Sequence, residues 1–165
     1  MKRIWSPWRM KYIEDHDGTA ACIFCDALSR PDDEGNLIIQ RGRRAFVIVN
    51  LYPYTSGHIM VAPMVHQPSL EYLDSDTRAE MMELVSQCIL VLKKIYNPQG
   101  FNVGANIGEV AGAGEPGHVH LHIVPRWTGD TSFLSTLGET RVLPEALGET
   151  YRRIKAGFQS SIDTP

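Results

Sequence analysis

The 165-residue chain is poor in several features, and each shortage removes a class of protein. No run of eighteen or more apolar residues occurs, which excludes a membrane-spanning helix. Cysteine is scarce and odd in number (Cys22, Cys25 and Cys88), so the chain carries no disulfide framework and suits a reducing cytoplasm. Basic charge is not in excess: the net charge of −3 argues against a partner that is a nucleic-acid polymer, while leaving room for a local nucleotide pocket. Internal repeats and low-complexity tracts are absent. The opening Met1-Lys2-Arg3-Ile4-Trp5-Ser6-Pro7-Trp8 lacks the apolar core of a signal peptide. What remains is a chain long enough to bury one core, with an ordinary 43% hydrophobic and 21% charged content, expected to form one domain.

Strand signals rich in Val, Ile and Phe run over 37–40, 45–50 and 58–63, separated by turns at Gly42 and Pro53 to Gly57. The strongest helix signal spans about Asp76 to Tyr96. There Met81, Leu84, Val85, Cys88, Leu92 and Ile95 recur at spacings of three and four, which makes Cys88 a core residue. Thr77 with Glu80 fits a capping box, and Pro98 with Gly100 stops the helix. Two more strands, 101–107 and 118–124, flank a glycine-rich loop. A short helical piece is expected over 26–29 and a last helix over 144–158, with Pro144 in its first turn. Trp5 and Trp8 suit the anchoring of an N-terminal arm. Short turns between strands, with one long helix among them, predict an antiparallel α+β domain: five strands, the long helix and a C-terminal helix.

His118-Val119-His120-Leu121-His122 is the most informative stretch. In an extended strand the three imidazoles line one face, while Val119 and Leu121 enter the other. Three polar rings in a row need partners or cost free energy if buried. A satisfied structural strand is the plain alternative; a metal site or a nucleophilic imidazole is the chemical one. A metal would use the ring nitrogens directly. A nucleophile would need one nitrogen to attack while the other donates to a fixed acceptor. Glycines 108, 112, 114 and 117 supply backbone N–H groups able to bind charge developing on phosphorus. Separately, Cys22-x-x-Cys25 offers two thiolates at metal spacing, a pattern that redox chemistry or packing also explains.

Gly57-His58-Ile59-Met60-Val61-Ala62-Pro63, the glycine-rich loop and His118-Val119-His120-Leu121-His122-Ile123-Val124-Pro125 together resemble the histidine-triad (HIT) superfamily of nucleotidyl hydrolases and transferases, over about residues 22–127. Trp5 to Met10, Asn50 to Tyr54, Gly100 to Gly104 and Pro125-Arg126-Trp127 look closer to the branch holding bacterial diadenosine tetraphosphate phosphorylases. The resemblance implies a single HIT domain over 1–165, with an N-terminal arm 1–21 and a C-terminal extension 128–165. It implies His120 as the nucleophile forming a nucleotidyl-histidine intermediate, His122 as the histidine beside the scissile phosphate oxygen, and His58 as a supporting histidine. It further implies Asn50 at the ribose hydroxyls, and Leu51 and Phe24 as apolar contacts to the base, with core packing the alternative for both. Asn106 is a phosphate contact or a turn residue, and Gly114 belongs to the phosphate loop.

Relatives complete a structural zinc site by pairing the two cysteines with positions that match His66 and His118 here, and the resemblance implies such a Zn2+ site. It also implies a homodimer joined through the long helix and a neighbouring strand. His16 matches nothing in the family. The loop Ala113-Gly114-Glu115-Pro116-Gly117 departs from the family pattern, which commonly carries Gln and Ser or Thr there, and Glu115 is expected to face solvent. Two other classes stay open: a non-catalytic nucleotide-binding module, and a metal protein whose whole histidine row serves the ion.

Overall fold

The computed structural model describes residues 22–130 and 145–162. The readings of Trp5, Trp8, His16 and Pro144 lie outside the described residues. The elements are α1 (Ile23–Ser29), β1 (Ile38–Arg41), β2 (Ala45–Val49), β3 (Ile59–Pro63), α2 (Ser75–Tyr96), β4 (Gly100–Gly104), β5 (Leu121–Arg126) and α3 (Leu147–Ile162). The strands form one antiparallel sheet in the order β1-β2-β3-β5-β4, the α+β architecture expected. Every residue of β2 and β3 is buried, so these central strands read as continuous apolar runs without alternation.

One face of the sheet carries the larger core. Val47, Val49, Ile59, Val61, Val119, Leu121 and Ile123 meet Met81, Leu84, Val85, Cys88 and Leu92 of α2, and Tyr151, Ile154 and Phe158 of α3. The two helices approach closely at Gly157: a Cβ there would sit 2.6 Å from Ile95 Cδ1 and 2.8 Å from Val91 Cγ1. The opposite face carries a smaller cluster of Phe24, Ala27, Ile38, Phe46, Ile48, Met60 and Ala62, roofed by α1.

The capping of α2 differs from the expected box. Asp74 is the N-cap, and its side chain accepts from Thr77 N–H at 2.7 Å. Glu80 instead turns toward the β1–β2 turn, where one carboxylate oxygen accepts from the N–H groups of Arg43 (2.7 Å), Arg44 (2.9 Å) and Ala45 (3.3 Å). A turn with three N–H groups aimed at one point offers a carboxylate more than the single N-terminal donor of a box does. The helix stops at Asn97, which takes a left-handed conformation (φ 45°) ahead of Pro98.

Candidate active site

The histidine row divides its residues between the two faces as the alternation requires. Val119 and Leu121 enter the larger core, whereas the rings of His118 and His120 lie 5.1 and 4.8 Å from Phe24 on the other side. The regular ladder, however, begins only at Leu121. Val119 N–H donates to Gln67 O at 2.7 Å, beyond the end of β3, so the first half of the row is extended backbone pinned to a loop. His122 occupies the ladder between Met60 of β3 and Gly104 of β4.

Each ring's partners fix its protons. His118 Nε2 faces Pro63 O at 2.8 Å, an acceptor only, so Nε2 carries the proton and Nδ1 the lone pair. His120 Nδ1 faces His118 O at 2.9 Å, so Nδ1 carries the proton and Nε2 the lone pair. Tyr54 N–H donates to His58 Nδ1 at 3.1 Å, which puts the His58 proton on Nε2; that nitrogen donates to His122 Nδ1 at 2.9 Å. His122 therefore holds its own proton on Nε2. The rings of His120 and His122 are 4.8 Å apart, and the Tyr54 ring packs tilted against His58, with centroids 4.6 Å apart. Burial pushes the His120 pKa below the ordinary imidazole value, outweighing the upward pull of its bond to His118 O, so the ring is neutral at pH 7.

Cys22, Cys25, His66 and His118 form a group that could hold a metal ion, with one ligand atom from each lying within 4.8 Å of the others. His118 Nδ1 is 3.3 Å from Cys22 Sγ and 3.6 Å from Cys25 Sγ, and His66 Nδ1 is 3.4 Å from Cys25 Sγ. Ordinary Zn–S and Zn–N bonds at a tetrahedral angle give an S···N edge of roughly 3.5 Å, so the donor set fits such an ion. Burial pushes the Cys22 thiol up to about 12, and the same effect lowers His118, keeping the imidazole in the neutral form a ligand needs.

The remaining expected residues are placed as follows. Phe24 is 1% exposed, its ring packed on Phe46 as well as on the two histidines. Leu51 is 56% exposed and open to a ligand. Asn50 is 9% exposed; its Oδ1 accepts from Tyr52 N–H at 2.9 Å and its Nδ2 lies against His58. Asn106 Nδ2 donates to Gly112 O at 3.3 Å, as a turn residue does. Gly114 lies in that loop, two residues beyond Gly112, whose backbone is left-handed (φ 87°). Glu115, expected in solvent, is half-buried and accepts from Ile23 N–H at 3.3 Å, joining the loop to the start of α1. The sequence reading missed the structural roles of Tyr54 and Pro63. Tyr54 precedes the Gly57-His58 pair in a Pro-containing turn, which was a usable signal; a backbone carbonyl at Pro63 leaves none.

Comparison with known proteins agrees with this geometry. The HIT domain family model matches residues 33–129. AP-4-A phosphorylase of Mycobacterium tuberculosis is 37% identical over 160 residues, covering 92% of this chain and 82% of that protein. The asymmetrical bis(5'-nucleosyl)-tetraphosphatase of Schizosaccharomyces pombe is 32% identical over 98 residues, 59% of this chain and 53% of its own length. Among solved structures, a Zn-bound histidine triad family protein from Mycobacterium smegmatis superposes with a TM-score of 0.69 at 26% identity, covering 86% of this chain and 96% of that one. The sheet order, the histidine row and a family match across more than half of the sequence converge: the chain belongs to the HIT-domain family.

Proposed function

We propose that the protein is an enzyme cleaving a dinucleoside polyphosphate of the diadenosine tetraphosphate type through a nucleotidyl-His120 intermediate. The observation that carries this reading is the tautomer of His120. With Nδ1–H bound to His118 O, its lone pair sits on Nε2 beside His122, whose proton sits on its own Nε2. His120 Nε2 attacks the α-phosphorus, a phosphorus–nitrogen bond forms, and the bond to the departing phosphate oxygen breaks. His122 Nε2 gives its proton to that oxygen. Water or inorganic phosphate then attacks phosphorus in line and gives a proton to His122 Nε2, the phosphorus–nitrogen bond breaks and both histidines are restored; two inversions give net retention.

Leu51 contacts the base, and the loop holding Gly114 lies against the phosphates. Cys22, Cys25, His66 and His118 hold zinc, which supplies a structural cross-link there and leaves His120 and His122 for substrate. A second copy of the chain joins through the outer face of α2, where Met82 and Leu90 are exposed, and through the edge strand β4. Among the described residues no helix is long and apolar enough to cross a membrane, and free thiols suit the cytoplasm.

The 37% identity to a phosphorylase over most of the chain favours inorganic phosphate as the acceptor. Product analysis with diadenosine tetraphosphate tests this, run with and without phosphate and with His120→Ala. ADP plus ATP formed only with phosphate, and lost in the variant, is the expected outcome. AMP plus ATP without phosphate would make the enzyme a hydrolase. No turnover in either condition would favour a binding module and overturn the reading.

A further inference from the structure

The glycine-rich loop ends against the metal group. Residues 115, 117 and 119 each meet a segment that carries a ligand. Glu115 Oε2 accepts from Ile23 N–H at 3.3 Å, one residue past Cys22. His66 turns Nδ1 toward Cys25 and Nε2 toward Gly117, where a Cβ would stand only 3.1 Å from Nε2, so glycine is there for space. Val119 N–H donates to Gln67 O at 2.7 Å, one residue past His66. The helix that receives Glu115 has little else to hold its first turn. α1 is seven residues long, too short to persist alone, and Cys22, its N-cap, caps no N–H with its side chain. Its far end is tied to β1, where Arg41 donates to Leu28 O at 3.2 Å and to Arg30 O at 3.1 Å. Its near end carries Cys22 and Cys25, with Phe24 between them packed on His118 and His120.

We propose that Glu115 is a positioning residue through which the metal group sets the glycine-rich loop. This rests on the reading that Cys22, Cys25, His66 and His118 hold zinc, and it gives a task to the residue that departs from the family pattern. Cys22 and Cys25, held by the ion, fix the first turn of α1. Ile23 N–H then fixes the Glu115 carboxylate, and Glu115 fixes the segment that carries Gly112 to Gly114. That segment is otherwise closed only on itself: Gly112 N–H donates to Glu109 O at 2.8 Å, Ala113 N–H to Gly108 O at 3.3 Å, and Asn106 Nδ2 to Gly112 O at 3.3 Å. When the ion leaves, the first turn of α1 is released and Glu115 loses its fixed donor. The loop then loosens, while α2 and its core, on the opposite face of the sheet, are untouched.

Amide hydrogen exchange on the full chain reads this without turnover, in zinc-loaded protein and after a chelator has withdrawn the zinc. Exchange at Gly112 and Ala113 should quicken when zinc leaves, while the buried amides of α2 hold. Glu115→Ala should quicken the same two amides with zinc still bound, and zinc removal should then add nothing further. By reciprocity that variant should release zinc to the chelator faster, roughly fivefold for one partly exposed hydrogen bond to a carboxylate. Glu115→Gln keeps an acceptor oxygen at the same reach and should recover most of both effects. Unchanged exchange at Gly112 and Ala113 on zinc loss overturns the proposal, and that comparison needs no variant to fold. So does a Glu115→Ala protein whose loop exchange and zinc release match the parent's. Loss of protection throughout α2 would make the metal a requirement of the whole fold, and overturns it too. Zinc uptake is measured first and separately. Protein that takes up none refutes the metal reading and this link with it, whereas loaded protein with an indifferent loop refutes the link alone.

Discussion

Replacing Phe24 by alanine distinguishes a packing residue from a base contact. Its ring is 1% exposed, edge-on to Phe46 at 6.3 Å and within 5.1 and 4.8 Å of the His118 and His120 rings. Deleting a buried phenyl costs about 3–5 kcal/mol when its neighbours cannot collapse into the space. On the sheet side Ile38, Phe46 and Met60 are fixed in strands, whereas α1 is only seven residues long and can settle inward. The lower end, about 3 kcal/mol, is therefore expected. For a chain of this size each kcal/mol moves Tm by roughly 2–4 °C, so the midpoint should fall by about 6–12 °C. With a urea m-value of about 2 kcal/mol/M, the denaturation midpoint should fall by roughly 1.5 M. Because the ring also seats His120, kcat should drop more than KM rises, and Phe24→Leu should recover most of both losses. Circular dichroism melts and steady-state kinetics on the same preparations give the answer. A variant that melts within about 2 °C of the parent yet shows a raised KM would refute the packing argument and put the ring against substrate.

Glu80→Ala strips the β1–β2 turn of the carboxylate that accepts three N–H groups, and should cost about 1 kcal/mol after screening by solvent, read as a lower urea midpoint. Partial burial pushes the Glu80 carboxyl up, but the N–H groups of Arg44, Ala45 and Arg43 outweigh it and hold the folded-state value below the ordinary one of 4.5. The stabilisation is thus complete above that ordinary value and lost as pH falls through the lowered one, so parent and variant melts should converge in acid. Metal analysis of the purified protein should give about one zinc per chain. Cys25→Ser and His66→Ala should lose it, and His122→Ala should retain it; zinc retained in His66→Ala would break the ligand assignment.

Much of this was legible in the sequence because side-chain periodicity reports which face a residue takes. The 3.6-residue stripe of α2 and the alternation of the histidine row each survive in the structure, and the two cysteines and two histidines named as one metal group do meet. Periodicity does not report what the backbone pairs with. The row reads as one strand from His118, yet its first half is tied to Gln67 outside the ladder. Likewise Thr77 and Glu80 match a capping pattern by spacing alone, while Asp74 and a turn more than thirty residues upstream compete for the same groups and win. The tautomers were beyond reach for the same reason. They are set by the carbonyls of Pro63 and His118 and by Tyr54 N–H, main-chain groups that side-chain identity does not mark.

Trapping the nucleotidyl-His120 species probes the proposed reaction at its covalent step. The protein should be mixed with diadenosine tetraphosphate without inorganic phosphate, quenched under denaturing alkaline conditions that spare a phosphorus–nitrogen bond, and its intact mass measured before the adduct is mapped by peptide fragmentation. An added adenylyl group on His120, absent from His120→Ala and discharged when phosphate or water is given time to act, is the predicted result. An adduct on another residue, or full turnover by His120→Ala, would contradict the account.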